Sequence, residues 1–387
     1  MSGHDGGWKA GGHYRLRKLS LGKQLRALQL ALLINNEVAA DVLGMHECME
    51  ALAVVLKEIG NGEAADRNKS NIHIPTGDPC LWYRYCSMEG GSRALQMVAI
   101  RIKSDMVSWP DVNGRLRETK YTREPGLYGG IILLFSATNG ELLAILNDGF
   151  IQHLRVAGTY GLGVQYTARQ DARVLGMLGS GTMARLNAEA YCLVRSIKQI
   201  KVYSPRPGNR KRFAQEMGEK LEIDVIPVDS AEAAAKGTDI LAAMTDSIDP
   251  VIYPELLAQG MCVCTVTNAE MSPAAYRHVD RMVLARTSAA DHHFTTGEDQ
   301  RPRHLGGSNQ KVLELESVVP PDHVHQLSDV MSGHAPGRGS DREIVFFQSE
   351  GMGSQFAAVA GKIYAKAKEQ GLGRELPGEW FLQNIRT

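Results

Sequence analysis

The stretch that most constrains this chain is residues 173–185, RVLGMLGSGTMAR. An apolar run from Val174 to Leu178 has the length of a buried strand. It leads directly into Gly179, Ser180, Gly181, Thr182, Met183 and Ala184, a G-x-G-x-x-A spacing. Each small residue has a steric role. Gly179 permits the tight turn, Gly181 lets backbone approach a pyrophosphate, and Ala184 lets the following helix pack closely on the strand. The free N–H groups of that helix start would hold phosphates.

Beyond the turn, strand and helix patterns alternate. Strands are expected at residues 200–203, 224–228, 240–244, 261–266 and 281–285, with helices at 209–221 and in the Ala-rich stretch near 231. That order implies an α/β fold with a Rossmann-type, doubly wound parallel sheet. The chain reads differently upstream. Met45, Met49, Leu52 and Leu56 recur at helical spacing and end near Gly60, Asn61 and Gly62. Between Ile72 and Leu146, short β-branched and aromatic runs separated by turns such as Asn139-Gly140 predict a mainly antiparallel sheet. Near the C-terminus, Phe356, Val359, Ala360, Ile363, Tyr364 and Ala367 form one apolar helical face ended by Gly371, expected to return to the first unit.

Composition excludes several classes. Forty-three basic residues balance forty-three acidic ones, so no global field draws the chain to nucleic acid or an anionic membrane. Small molecules or further copies of the chain are the expected partners. No apolar run reaches the roughly 18 to 20 residues of a membrane span and no apolar signal core stands at the start, so a cytoplasmic protein is expected. Cys48, Cys80, Cys86, Cys192, Cys262 and Cys264 lack metal-finger spacing and read as reduced thiols. Residues 1–29 are basic and Gly-rich, a flexible extension in character. The polar segment 289–321, with Asp291, His292, His293 and His304, reads as solvated loop, and no metal site is expected.

Several strings in this order resemble the ornithine cyclodeaminase and mu-crystallin superfamily. They are residues 140–149 followed by Arg155-Val-Ala-Gly, the turn itself, residues 235–240 leading to Met244-Thr245 and Pro250, and residues 347–353. The resemblance spans residues 32–372. It implies a homodimer in which residues 30–150 with 325–387 form a mixed α+β substrate-binding and dimerisation domain, and residues 151–324 bind a nicotinamide dinucleotide. An amino or imino acid would occupy the cleft between them.

The second strand of the dinucleotide unit ends at Tyr203, Ser204, Pro205 and Arg206, followed by Arg210, without the carboxylate that usually holds a ribose 2′-hydroxyl. Ser204, Arg206 and Arg210 suit a 2′-phosphate, which favours NADP(H) over NAD(H). The resemblance adds Thr245 and Ser247 near the ribose and nicotinamide, and Gly351, Met352 and Gly353 beside the nicotinamide.

Reduction of a C=N bond needs a cation for the substrate carboxylate and an acid that keeps the nitrogen protonated. Carried over by position, Arg155 is a carboxylate ligand. The family's lysine falls on Arg101 by register, whereas chemistry prefers Lys103, because an arginine scarcely releases a proton. The family's early arginine falls nearest Lys69, with Arg67 two residues earlier. Cyclodeaminases of the family carry an Asp where this chain has Ala269; a one-residue slip makes Glu270 the substitute base. Without that Asp the expected activity is NAD(P)H-dependent reduction of an imino acid, or equivalently amino-acid dehydrogenation. An ornithine cyclodeaminase and a silent crystallin-like nucleotide binder are the alternatives. Trp82, Tyr83, Tyr85 and Trp109 read as core or pocket, and the pocket is expected from loops at 80–91 and 104–127.

Overall fold

The computed structural model describes residues 30–110, 118–286, 292–296 and 319–383. The basic extension, Asp291 and His304 lie outside them, as does the His293 side chain.

Two sheets divide the strands. One has eight strands, all parallel, in the order Asp224–Pro227, Gln199–Tyr203, Val174–Leu178, Ile240–Ala243, Cys262–Thr265, Val345–Gln348, Arg281–Leu284 and Val324–Gln326. The strand Val174–Leu178 is central, and the strands that follow it in sequence are laid first on one side and then on the other. The crevice where the order reverses lies beyond its C-terminal end, where Gly179 begins, and ligands of doubly wound sheets bind there. The sequence-derived division at residue 324 cuts this sheet, since Val324–Gln326 and Val345–Gln348 both belong to it. The apolar run Val345 to Phe347 is buried as a strand of this kind must be, with Phe346 and Phe347 pointing into opposite cores.

The other sheet has ten strands and is mainly antiparallel. Its central pairs are Ser70–Pro75 with Leu81–Ser92, Leu81–Ser92 with Met97–Ser108, Met97–Ser108 with Gly130–Ser136, and Gly130–Ser136 with Leu142–Asn147. Residues 80–91, read from sequence as a pocket loop, are mostly the twelve-residue strand Leu81–Ser92, with Trp82 buried in the core. The polar residues Arg84, Ser87 and Glu89 obscure the alternation there. His292–Thr295 likewise adds to Ser70–Pro75 as a parallel edge strand, whereas the sequence reads as loop.

Two helices tie the sheets together. The helix Asp148–Thr167 starts where Asn147 Oδ1 accepts from Gly149 N–H at 2.8 Å. It is buried over most of its length between the helices Met45–Gly60 and Thr182–Val194 and the strand Val345–Gln348. Its glycines permit that fit: a Cβ on Gly163 would stand 2.2 Å from the Phe347 ring, and one on Gly158 2.8 Å from Leu52. Each such glycine costs about 1 kcal/mol of helix propensity, offset by the close packing it allows. The helix Gly353–Glu369 buries Phe356, Val359, Ala360, Ile363, Tyr364 and Ala367 against the mixed sheet and the helix Met45–Gly60. The apolar face predicts this packing correctly.

Candidate active site

At the turn, Gly179 has φ +110°, and a Cβ there would meet the Met244 carbonyl oxygen at 2.4 Å. Only glycine suits that position. A Cβ on Gly181 would face open space, so the backbone is bare on the side where a phosphate approaches. The helix Thr182–Val194 begins at Gly181 without a side-chain cap, which leaves its first N–H groups for a ligand. Ala184 is fully buried against the sheet. Ser180 Oγ lies 3.0 Å from Ser204 Oγ, linking the turn to the end of the second strand. A dinucleotide pyrophosphate fits these residues.

Arg206 is exposed at the start of the helix Pro207–Leu221, and Ser204 is buried beside it. Arg210 differs from its expected place. It is buried, donates from Nη1 to the Ser204 carbonyl at 2.9 Å, pairs through Nη2 with Asp229, and lies over the Tyr203 ring. One turn into its helix, Arg210 faces inward, so its guanidinium braces the strand end from below. Asp229, arriving from the third strand, was invisible to a reading of the second strand alone.

Three cations gather at the other side of the crevice. Arg155, only 2 % exposed, donates from Nη1 to Gln355 Oε1 at 2.9 Å and from Nη2 to Gln152 Oε1 at 2.7 Å. No carboxylate bonds it among the described residues, and its Nε is buried without a partner. Burial pushes its pKa down to about 9, with the Arg101 charge adding to the effect. Arg101 donates from Nε and Nη2 to Asp148 Oδ2 at 2.9 and 2.7 Å. Both arginines lie over Phe356, at 4.7 Å for Arg155 and 5.6 Å for Arg101. Lys103, next but one along the strand and on the same face, lies 2.9 Å from Asp105 Oδ2 and near the Tyr128 ring. Burial holds Lys103 below the ordinary lysine pKa.

The segment after the strand Val345–Gln348 closes over these groups. Gly351 has φ +83°, and a Cβ on it would collide with Arg155 Nη1. A Cβ on Gly353 would overlap the Glu89 backbone, so Gly353 seats the helix directly on the mixed sheet. Met352 is buried at that helix start. Asp66 accepts from Ser354 N–H at 2.8 Å and fixes the same joint. Lys69 precedes the strand Ser70–Pro75 and its carbonyl accepts from His292 N–H, while Arg286 binds the neighbouring Arg67 carbonyl.

Glu270, the candidate substitute base, is held by four donors. It is fully buried, and Oε1 accepts from Thr245 N–H at 2.7 Å and Thr245 Oγ1 at 2.6 Å, while Oε2 accepts from Val266 N–H at 2.7 Å and Thr267 N–H at 3.0 Å. Burial pushes its pKa up to about 7 against the opposing pull of those donors. Three of them are backbone N–H groups, which fit an ionised carboxylate. Glu270 therefore braces the ends of two adjacent parallel strands, and through Thr245 it orders the loop in which Thr245 Oγ1 accepts from Ser247 N–H at 3.1 Å. The sequence missed Tyr160, whose hydroxyl donates to the Thr265 carbonyl and accepts from Ser349 N–H at 3.0 Å, joining one of those strand ends to that of Val345–Gln348.

A profile of the ornithine cyclodeaminase/mu-crystallin family matches residues 120–371, more than half of the chain. A Delta(1)-pyrroline-2-carboxylate reductase of Bacillus cereus is 28% identical over 252 residues, which are 64% of this chain and 74% of that protein. The structure of the Thermococcus litoralis Delta(1)-pyrroline-2-carboxylate reductase in complex with NADH and L-proline superposes with a TM-score of 0.73 at 25% identity, covering 89% of this chain and all of that one. An archaeal alanine dehydrogenase dimer with bound NAD shares the fold at a TM-score of 0.72 and 22% identity, over 90% of this chain and 99% of that chain.

Proposed function

The chain belongs to the ornithine cyclodeaminase/mu-crystallin family, and from that premise we propose that it is an NAD(P)H-dependent reductase of small imino acids, which in reverse is an amino-acid dehydrogenase. The observation that carries this reading is Arg155, a buried cation held by two glutamines, with an Nε still to be satisfied. Burying a charge without a counter-charge is costly, and a substrate carboxylate removes that cost. The similar reductases and the NADH and L-proline of the Thermococcus litoralis complex support it.

A bound nicotinamide supplies the hydride for the C=N carbon. The chain's own groups do the rest. The N–H groups after Gly181 hold the pyrophosphate, Thr245 and Ser247 line the ribose side, and Gly351 to Gly353 pack the nicotinamide end. Arg155 fixes the carboxylate. Lys103 holds a proton beside the imine nitrogen, a role Arg101 does not share because its Nε and Nη2 are both bonded to Asp148 and a guanidinium is a poor proton donor. Lys69 flanks the pocket from the start of the strand Ser70–Pro75. With Glu270 committed to four donors and Ala269 lacking a carboxylate, ring closure with loss of ammonia lacks its base.

NADP(H) is the proposed cofactor. Its 2′-phosphate would meet exposed Arg206 and the Ser204 hydroxyl, whereas Arg210 serves through the Ser204 carbonyl. We further read the protein as a homodimer joined through the outer face of the mixed sheet, where Ile72, Ile74, Val98 and Ile131 are exposed. A reducing cytoplasmic setting completes the reading, since the six cysteines are unpaired.

The test is oxidation of NADPH and NADH by the purified protein with a panel of cyclic ketimine acids, and with 2-oxo acids plus ammonia or methylamine. Carboxylate-dependent oxidation, with NADPH favoured and the preference lost in Arg206→Ala, is the expected result. Ammonia release from ornithine without net nucleotide oxidation would overturn it.

A further inference from the structure

Asp148 is only 3 % exposed, yet one of its oxygens is unused. Arg101 directs both of its hydrogen bonds to Oδ2, leaving Oδ1 buried without a partner among the described residues. A carboxylate with one oxygen fully engaged and the other unsatisfied needs an N–H or O–H donor, and none of the described residues provides one.

The neighbourhood identifies the donor. Asp148 and Arg155 are seven residues apart on one helix, two turns, and so share a face. Arg101 and Arg155 both lie over the Phe356 ring, which makes the Arg101–Asp148 pair and the Arg155 guanidinium neighbours. Gly130 makes room for this arrangement: a Cβ there would stand 2.8 Å from Asp148 Oδ2 and Cβ. Gly130 is also the register partner of Lys103, so the residue opposite the lysine on the next strand packs against Asp148. In an α-imino or α-amino acid, the nitrogen and the carboxylate hang from the same carbon. A ligand whose carboxylate meets Arg155 therefore carries its N–H groups into the region of Asp148.

We infer that Asp148 is a substrate-binding residue, its Oδ1 accepting a hydrogen bond from the nitrogen of the bound iminium or of the product ammonium. The inference rests on the imino-acid reading of the site. It also gives Arg101 a function at the position where the family resemblance implies a lysine: the arginine is a positioning residue that locks Oδ2 and turns Oδ1 to the pocket. Among the described residues Asp105 Oδ2 is shared by Lys103 and Arg84, and Asp148 Oδ2 is held by Arg101, which leaves Arg155 for the substrate carboxylate.

The experiment compares L-proline with tetrahydrofuran-2-carboxylate, which replaces the ring N–H by oxygen, for binding to the full-length protein saturated with NADH or NADPH, by calorimetry. The wild type is expected to favour L-proline by about tenfold or more, the size of a charge-assisted hydrogen bond. Asp148→Asn should abolish that preference without weakening binding of the oxygen analogue, with nucleotide affinity retained. If removal of the lone charge prevents folding, the double variant Arg101→Met with Asp148→Asn removes the buried pair together and answers the same question. A wild type with no preference, or a variant that weakens both carboxylates alike, overturns the inference and leaves the reductase reading standing. Failure of the wild type to bind any carboxylate would overturn both.

Discussion

Arg155 lies 4.7 Å from the centre of the Phe356 ring, and its guanidinium also touches Gly351, where even one added carbon would collide with it. A residue from the middle of the chain is thus clamped by the C-terminal segment, with Gln355 completing the clamp at 2.9 Å. The cation is held still without being neutralised. Electrostatic preorganisation of this kind favours a carboxylate ligand in a fixed pose.

Replacing Arg155 by lysine keeps a charge but loses the bidentate fork. It is expected to lower kcat/KM by about 2 orders of magnitude, chiefly through KM, because a buried bidentate ion pair is worth roughly 3 kcal/mol. Nucleotide affinity should stay within about twofold. Steady-state kinetics and NADPH fluorescence titration check both, and equal loss of nucleotide binding would move Arg155 from the substrate to the scaffold.

Glu270→Gln should act on stability and the cofactor loop rather than on proton transfer. Glutamine offers a single acceptor atom, so the donors on one side of the carboxylate lose their partner and the cost is about 2 to 4 kcal/mol. The expected signature is a lower Tm, weaker nucleotide binding and an unchanged shape of the pH profile. A variant that folds and binds nucleotide normally but turns over at about a thousandth of the rate, within the span of general acid–base catalysis, would restore the catalytic base.

How much was legible follows from how far apart the partners lie. The turn at Gly179 and the apolar face of residues 356–367 are local patterns, and both appear in the fold where the sequence places them. The Arg101–Asp148 pair joins residues 47 apart, Glu270 reaches back 25 residues to Thr245, and Arg155 meets Gln355 200 residues on. No periodicity encodes such meetings. Sequence reading could list the charged side chains but could not say which were already engaged. Arg210 shows the consequence: its spacing suits a phosphate, but its helical phase turns it inward to the Ser204 carbonyl and Asp229.

The outer face of the mixed sheet carries the dimer prediction. Ile131 is the register partner of Ile102, Val98 of Phe135, and Ile72 and Ile74 stand on the same face further out. A lysine at either Val98 or Ile131 should leave the fold intact, since both are exposed in the single chain, yet break a two-fold contact built on that face. Light scattering should report a dimer for the wild type and a monomer for the Val98→Lys, Ile131→Lys double variant. A dimer that survives both lysines would place the contact elsewhere.

Lys103 sets the direction of the pH dependence. Burial opposes its charged form and lowers its pKa, while Asp105 at 2.9 Å favours that form and offsets part of the shift. The lysine delivers a proton only when charged, so the rate of imine reduction should be full below its pKa and fall as pH rises through it. Because the shift is downward, the alkaline limb should appear below the 10.5 of an ordinary lysine. Lys103→Met should remove that limb and lower kcat by about 2 to 4 orders of magnitude, the span of general acid catalysis. Lys103→Arg, which stays charged throughout, should flatten the limb without restoring the rate, separating proton delivery from simple charge. If the limb persists in Lys103→Met, the proton comes from another group, and the lysine serves only to hold Asp105.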